Sequence, residues 1–512
     1  MKILLTSLNS KYVHSNLALK YLYTVTAGKY SDVEVREFTI NQDLTDIYTE
    51  LVRANYDMVC FSCYIWNIEK IKELASDLKK ARPEMRICLG GPEISADSVD
   101  FAVKHPWADY ILRGEGEYPF YRLCQVLHQE GERDEELLKT VPGLLYRGKD
   151  GKIYVNSPME PMDFNEIPFP YSILDCRPDQ VVYYESVRGC PFRCSYCLSS
   201  VDKTLRPLAM DRVKADLRYF LFKKVMQVKF IDRTFNYDRD RAREIFRYLM
   251  ENDNGVTNFH FELCGDLLDR ETLDLLRSAR KGLFQFEIGI QSANPQTLAA
   301  VNRKENIYPI LYNVEQLMKM GNIHIHVDLI AGLPYEDYML FGRSFNKIYR
   351  LGADMLQLGF LKVLPGTPLA EQAEDFGIVS RDRAPYEVIR TSWLSAEELV
   401  RLHMIEHMVD LYYNRGGFSE TLAFLISEQE ENAFGLYEKL ADFYYSLGFQ
   451  NRSRKKEDQY RILRRFILES PDLHLKPDAE EKALRLVSED LERWFNEDEQ
   501  KRFYKKGWEV IA

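Results

Sequence analysis

Over the first 135 or so residues, short apolar runs alternate with stretches of helical period. Lys2–Thr6, Val33–Phe38, Met58–Ser62, Arg86–Leu89 and Tyr110–Leu112 have the length and content of strands. Ser15–Thr26, Ile68–Lys80 and Glu117–His128 repeat their apolar positions as a helix does. Strands that alternate with helices predict an α/β unit with a parallel, doubly wound sheet. Such a sheet binds ligands beyond the carboxyl ends of its strands. That rim holds Asn9–His14, Cys63–Asn67, Gly90–Ala96 and Arg113–Gly116.

The pattern changes at residues 136–180, where Gly148, Gly151 and prolines 158, 161, 168 and 170 predict a hairpin and an extended linker. A second alternating series spans 181–385, with strands at Val181–Ser186, Gln227–Ile231, Asn258–Leu263, Leu283–Ile290, His324–Ile330 and Met355–Leu361. Six βα units suit an open, partial (β/α)6 barrel, whose site residues belong at the strands' carboxyl ends. Residues 386–512 lose the strand signal and read as a helical C-terminal domain, with helices at Glu397–Tyr413, Ser419–Ile426, Asn432–Leu447, Asp458–Leu468 and Ala479–Asn496. The expected division is therefore 1–135, 136–180, 181–385 and 386–512.

A hydrophobic fraction of 46% allows a large core, and a net charge of −11 argues against general nucleic-acid binding. The basic stretch from Arg452 through Arg465 reads as a solvated helix face. The opening MKILLTSLNS reads as a first strand rather than a signal peptide, and no apolar run reaches membrane-spanning length. Nine cysteines are too sparse for a disulfide scaffold. Their odd number and local clustering point to a reducing compartment, and the expected location is cytoplasmic.

Cys190, Cys194 and Cys197 lie within eight residues, after a strand. Three thiolates at that spacing can wrap one soft metal centre. A four-iron cluster held by three cysteines keeps one iron open to a ligand. Zinc is the alternative, but no further His or Cys follows at zinc-finger spacing.

The C-x3-C-x2-C spacing, with Tyr196 before the last cysteine, resembles the radical S-adenosylmethionine (SAM) signature, and the downstream text is similar to the elongator/coproporphyrinogen-oxidase branch. Phe230–Asn236 stands where that family has a glycine-rich segment; its glycines are missing and Asp232 would serve instead. Glu262 corresponds to a ribose-binding acid, Gln291 to a SAM-contacting glutamine, Arg303 to the arginine that pairs with the SAM carboxylate, and Asp328 to a residue near the ribose. The resemblance thus implies a [4Fe–4S] cluster on Cys190, Cys194 and Cys197, SAM held by Tyr196, Asp232, Glu262, Gln291, Arg303 and Asp328, and reductive cleavage of SAM to a carbon radical. An external electron donor such as flavodoxin or ferredoxin follows from that chemistry.

Ahead of such a core, the first domain looks like the Rossmann-like (flavodoxin-like) cobalamin-binding domain of B12-dependent radical SAM proteins. A flat corrin suits a shelf of backbone and small side chains, here Ser62, Gly90, Gly91, Ser95, Gly114 and Glu115. His14 is the candidate lower cobalt ligand, although the acid and glycine of the Asp-x-His-x-x-Gly pattern are absent around it. Cys60 and Cys63 point to opposite faces of a strand and suit packing. His403 and His407, one helical turn apart, suit a helix face. The tail resembles an uncharacterised extension of one bacterial subgroup. Together these features imply methyl transfer to an unactivated carbon of an unknown substrate. The rival readings are a radical rearrangement or cyclisation, as in the anaerobic porphyrin-ring cyclase, and a non-catalytic cobalamin or iron–sulfur sensor.

Overall fold

A computed structural model describes the chain except residues 31, 130–134, 178, 179, 201–203, 510 and 512. Its first sheet has seven strands: β1 (Ile3–Asn9), β2 (Val33–Thr39), β3 (Met58–Ser62), β4 (Arg86–Gly90), β5 (Tyr110–Leu112), β6 (Leu144–Arg147) and β7 (Ile153–Val155), in the order β2-β1-β3-β4-β5-β6-β7. β1 to β5 run parallel; β6 and β7 add antiparallel on the β5 edge. The hairpin within 136–180 thus continues the first sheet. Alternate strand residues feed two helix layers. Leu4, Val59, Phe61, Ile87 and Leu89 face one, and Ile3, Leu5, Met58, Cys60 and Cys88 the other. Burial on both sides explains why these strands read as continuous apolar runs. Cys60 and Cys63 enter opposite layers as free, buried thiols.

The second sheet has six parallel strands in sequential order: β8 (Val181–Tyr184), β9 (Gln227–Phe230), β10 (Asn258–Leu263), β11 (Phe284–Gln291), β12 (His324–Ala331) and β13 (Met355–Phe360). β8 and β13 do not pair, so the barrel is partial. Period-two alternation divides its faces. Phe259, Phe261, Phe284, Phe286, Ile288, Val327 and Leu329 pack outward under the helices. The alternate positions carry polar groups into the lumen, where Lys229 and His260 both meet Glu287, at 3.2 and 3.1 Å.

The barrel's two open edges are covered by other parts of the chain. Beside β8, His14 forms a parallel bridge to Val181, and the Val181 N–H donates to the Val13 carbonyl at 2.9 Å. Beyond β13, Lys362 bridges Glu387, just before the second strand of a hairpin, β14 (Val379–Ser380) and β15 (Val388–Arg390). Helices Ala396–Val409, Ser419–Ser427, Ala433–Ser446, Lys456–Glu469, Pro477–Trp494 and Glu497–Lys506 follow. Among the described residues no helix is long and apolar enough to cross a membrane.

His403 and His407 have separate partners. The first stacks on Phe360 and meets Glu387 at 3.1 Å; the second bonds the Tyr445 hydroxyl at 3.0 Å.

Candidate functional site

The three cysteines occupy a loop gripped at several points. Before it, the carboxylate of Asp232 accepts bonds from the N–H groups of Ser186 (2.6 Å) and Val187 (3.2 Å) and from the Ser186 hydroxyl. Within it, the Ser195 N–H donates to the Val301 carbonyl and the Leu369 N–H to the Ser195 carbonyl, both at 2.9 Å. Cys190 and Cys194 are buried and Cys197 half-buried. Among the described residues no His, Cys, Asp or Glu trio is gathered as a single ion requires.

Arg188 precedes the loop and is clamped from the first domain. Its guanidinium meets Glu117 at 2.9 Å, Glu115 at 3.6 Å and Glu185 at 3.0 Å, and lies 4.5 Å over the Phe164 ring. Glu115 also pairs with Arg206, whose strand is antiparallel to Val187–Arg188. The loop after β5 therefore holds the entry to the cysteine loop. Glu115, read from sequence as part of the cobalamin shelf, has its carboxylate engaged here.

Around the mouth of the barrel, the SAM candidates lie close together. Arg303 donates to the Tyr196 hydroxyl at 3.1 Å and the Gly289 carbonyl at 2.5 Å, pairs with Glu305 at 2.6 Å, and lies 4.0 Å from the Cys194 sulfur. Gln291 ends β11 at φ +69°, after a bulge, and its amide folds back over Gly289. Gly289 is level with Asp328, and Glu262 with Glu287. Four polar atoms here are buried without a partner: Gln291 Oε1, Asp328 Oδ1, Arg303 Nε and Ser195 Oγ. Buried polar atoms left unpaired are costly. A ligand carrying a carboxylate, an ammonium and ribose hydroxyls can satisfy such a set, so these residues fit SAM.

Asp232 stands apart. It is 1% exposed, and its oxygens are already bonded to the backbone and side chain that lead into the cysteine loop. Contact with SAM would cost those bonds. In the structure it positions the loop.

Electrostatics separate the lumen acids. Burial works against an ionised Glu287, yet His260 and Lys229 hold its carboxyl down to about 2. On Asp328 the pull of Lys229 and Arg303 is outweighed. Burial, then Glu287 and Glu262, push it up to about 8. Burial also raises Glu262, against the pull of Arg233. A carboxyl raised on folding favours the folded state below its unfolded value, and that contribution is lost as pH rises through the folded value. For Asp328 the window runs from 3.8 to about 8. In the cofactor-free chain, stability to urea should fall between pH 5 and 8, and Asp328→Asn should abolish on the order of 2 kcal/mol of that fall. An unchanged slope in the variant refutes this assignment.

The rim loops of the first sheet meet the barrel's loops, with Glu115 on Arg188 and Ala96 beside Gly366. Gly114, at φ +74°, has nothing within 4 Å of where a side chain would start, and Gly90 has only Leu112 at ordinary contact distance. This bare backbone fits a flat macrocycle. Gly91 differs, since a Cβ there would come within 2.5 Å of the Cys63 carbonyl. It is a packing glycine. Ser95 ties two rim loops, donating to the Gly91 carbonyl at 2.8 Å and accepting from the Gly114 N–H at 3.3 Å. Ser62 is buried, and its carbonyl accepts from Ser7 and Asn67. His14 sits at the β8 edge, its Nδ1 bonded to the Tyr183 hydroxyl at 2.6 Å, and burial lowers its pKa.

Several neighbours were not singled out from sequence. Lys229, His260 and Glu287 share a lumen face with Glu262, and strand period alone could have found them. Glu305 and the Trp66 ring, stacked on Tyr64 and 45% exposed at the rim, carry no sequence pattern of their own.

Comparison with known proteins follows the same division. Residues 3–124 match the family model described as B12 binding domain, residues 184–346 that of the Radical SAM superfamily, and residues 374–508 that of a protein of unknown function (DUF4080). The chain is similar to the cobalamin-dependent radical SAM methyltransferase TokK of Streptomyces tokunonensis, with 26% identity over 343 residues, covering 63% of this chain and 49% of TokK. It is similar to 2-(S-pantetheinyl)-carbapenam-3-carboxylate methyltransferase of Streptantibioticus cattleyicolor, with 24% identity over 426 residues, covering 76% of this chain and 61% of that protein. The chain thus spans about half of the first relative and less than two thirds of the second. Its fold is that of OxsB, a cobalamin-dependent S-adenosylmethionine radical enzyme solved with aqua-cobalamin and S-adenosylmethionine bound (TM-score 0.65, 16% identity, covering 99% of this chain and 84% of OxsB). The methyltransferase TsrM from Kitasatospora setae gives a TM-score of 0.61 at 18% identity, covering 75% of this chain and 79% of TsrM.

Proposed function

We propose that this chain, a radical SAM superfamily member with an N-terminal B12-binding domain and a C-terminal DUF4080 domain, methylates an unactivated carbon, with a [4Fe–4S] cluster, SAM and cobalamin as cofactors. One observation carries the reading. Rim loops of the first sheet touch the barrel's loops through Glu115 on Arg188 and Ala96 beside Gly366, and in the barrel Arg303, Gln291 and Asp328 gather partnerless buried atoms beside the cysteine loop. When bound, the three groups supply one-electron cleavage of a sulfonium and transfer of a methyl group.

The chain's own residues bind and orient. Cys190, Cys194 and Cys197 would hold the cluster. Arg303, fixed by Tyr196, Glu305 and the Gly289 carbonyl, would receive a carboxylate in a charge-assisted bond. Gln291, held at its left-handed backbone by the bulge, would accept from a donor of the same ligand. Asp328, pushed up to about 8 mainly by burial, would donate from its carboxyl to a ribose oxygen. Gly90, Gly114 and Ser95 would form the shelf under the corrin, and His14, its Nδ1 bonded to the Tyr183 hydroxyl, would offer Nε2 to the cobalt.

The test is an anaerobic incubation of the reconstituted chain with reductant, cobalamin and methyl-labelled SAM. Both 5′-deoxyadenosine and S-adenosylhomocysteine should form. A metabolite extract from cells lacking the gene should then accept label. Without 5′-deoxyadenosine the radical reading fails; 5′-deoxyadenosine without S-adenosylhomocysteine would instead mark a rearrangement.

A further inference from the structure

The hairpin that opens the DUF4080 domain joins three parts of the molecule. Where its turn enters the second strand, it extends the barrel. The Val363 N–H donates to the Tyr386 carbonyl at 3.0 Å and the Val388 N–H to the Leu361 carbonyl at 2.9 Å. Val388 is buried against Gly332, where a Cβ would come within 2.8 Å of its methyl. Glu387 is braced by His403, itself stacked on Phe360.

At its turn the same hairpin leaves the barrel and touches the first domain. Ala384 packs on the helix-side core of the first sheet, and the Tyr386 hydroxyl donates to the Glu93 carboxylate. Glu93 lies in the short helical turn Pro92–Ser95 after β4, just past Gly90-Gly91. A second contact presses that turn from the barrel side, since a Cβ on Gly366 would come within 2.7 Å of Ala96 Cβ. Tyr386 holds φ +56°, a conformation that bulky residues rarely adopt and that surrounding contacts must impose.

We propose that this hairpin is the third wall of the cofactor cleft, and that the Tyr386–Glu93 bond latches it to the loop that forms the cobalamin shelf. Tyr386 is a positioning residue: it acts on the cofactor through Glu93 and the Gly90–Ala96 loop. The inference rests on the proposed cobalamin site. It gives the DUF4080 segment a task in the cleft, where it sets the gap between the first sheet's rim and the barrel mouth.

The experiment uses the full chain and two readouts. Tyr386→Phe keeps the ring and removes the donor. In the cofactor-free chain, amide exchange at residues 90–96 and 379–390 should quicken about tenfold, the effect expected for losing a hydrogen bond to a charged group. In the reconstituted chain, hydroxocobalamin should dissociate about tenfold faster, with iron content unchanged. Glu93→Ala should match Tyr386→Phe, while Glu93→Gln, which keeps an acceptor, should recover part of the loss. Unchanged exchange in both Tyr386→Phe and Glu93→Ala overturns the latch. So does faster exchange throughout the chain, which would mark general destabilisation, and so does unchanged cobalamin retention. Failure of the parent chain to bind hydroxocobalamin would count against the cofactor site itself, and the exchange data alone would then decide whether hairpin and loop are joined.

Discussion

Cys194→Ala should yield a folded chain that, after anaerobic reconstitution, has lost the cluster's absorbance and makes no 5′-deoxyadenosine from SAM. The loss should be complete, because three local thiolates already leave one iron without a protein ligand and a second open iron would not be retained. The fold should tolerate the change. The sulfur has Arg303 at 4.0 Å and the Tyr196 hydroxyl as polar neighbours, while the loop is held by the Ser195 backbone bonds to Val301 and Leu369. The thermal midpoint should therefore move by only a few degrees, about what 1 kcal/mol produces. Retained absorbance together with retained product would remove Cys194 from the cluster.

The second large effect is expected one residue before the cysteines. Gly189 holds φ +98°, and a Cβ there would lie 1.9 Å from the Thr204 carbonyl oxygen and 3.0 Å from its carbon. Both obstacles are backbone, so Gly189→Ala must move the loop. The cost should exceed about 2 kcal/mol, since backbone strain and overlap add, and iron incorporation should fall with it because Cys190 follows directly. Gly114→Ala is the control. It has a similar backbone, φ +74°, but open space around the missing Cβ, so it should cost only about 1 kcal/mol. Equal denaturation midpoints for the two variants would show that the contact with Thr204 is not what constrains the turn.

Much of this architecture was legible in advance. The strand expectations in both sheets fall within a few residues of the observed strands, because fully buried parallel strands are continuous apolar runs and barrel strands alternate with period two. What escaped was short or irregular. Leu44–Ala54 is an amphipathic helix not singled out from sequence, and the strands of Val379–Ser380 and Val388–Arg390 are too brief to carry a periodic signal. The site shows the same contrast. Glu262, Gln291, Arg303 and Asp328 were matched by resemblance to radical SAM motifs, and they lie close together at one barrel mouth. Asp232 and Glu115 were read in the same way, yet both carboxylates are spent on holding the backbone near the cysteines. A carboxylate's residue type says that it will seek donors; only the fold says whether backbone, arginine or ligand supplies them.

Three cysteines at C-x3-C-x2-C spacing, the strand-and-helix alternation and the charge balance belong to the sequence alone, because they are properties of local order and composition. Four things were decided by tertiary structure: the clamp of Glu115 and Glu117 on Arg188, the closing of the barrel edges by residues near 14 and 387, the divided protonation of Glu287 and Asp328, and the Tyr386–Glu93 bond. Each depends on groups far apart in the chain, up to 293 residues for the last, and on burial that no local pattern encodes. The cysteines mark where a cluster would sit. Which walls surround it is written in contacts that exist only once the three parts have folded together.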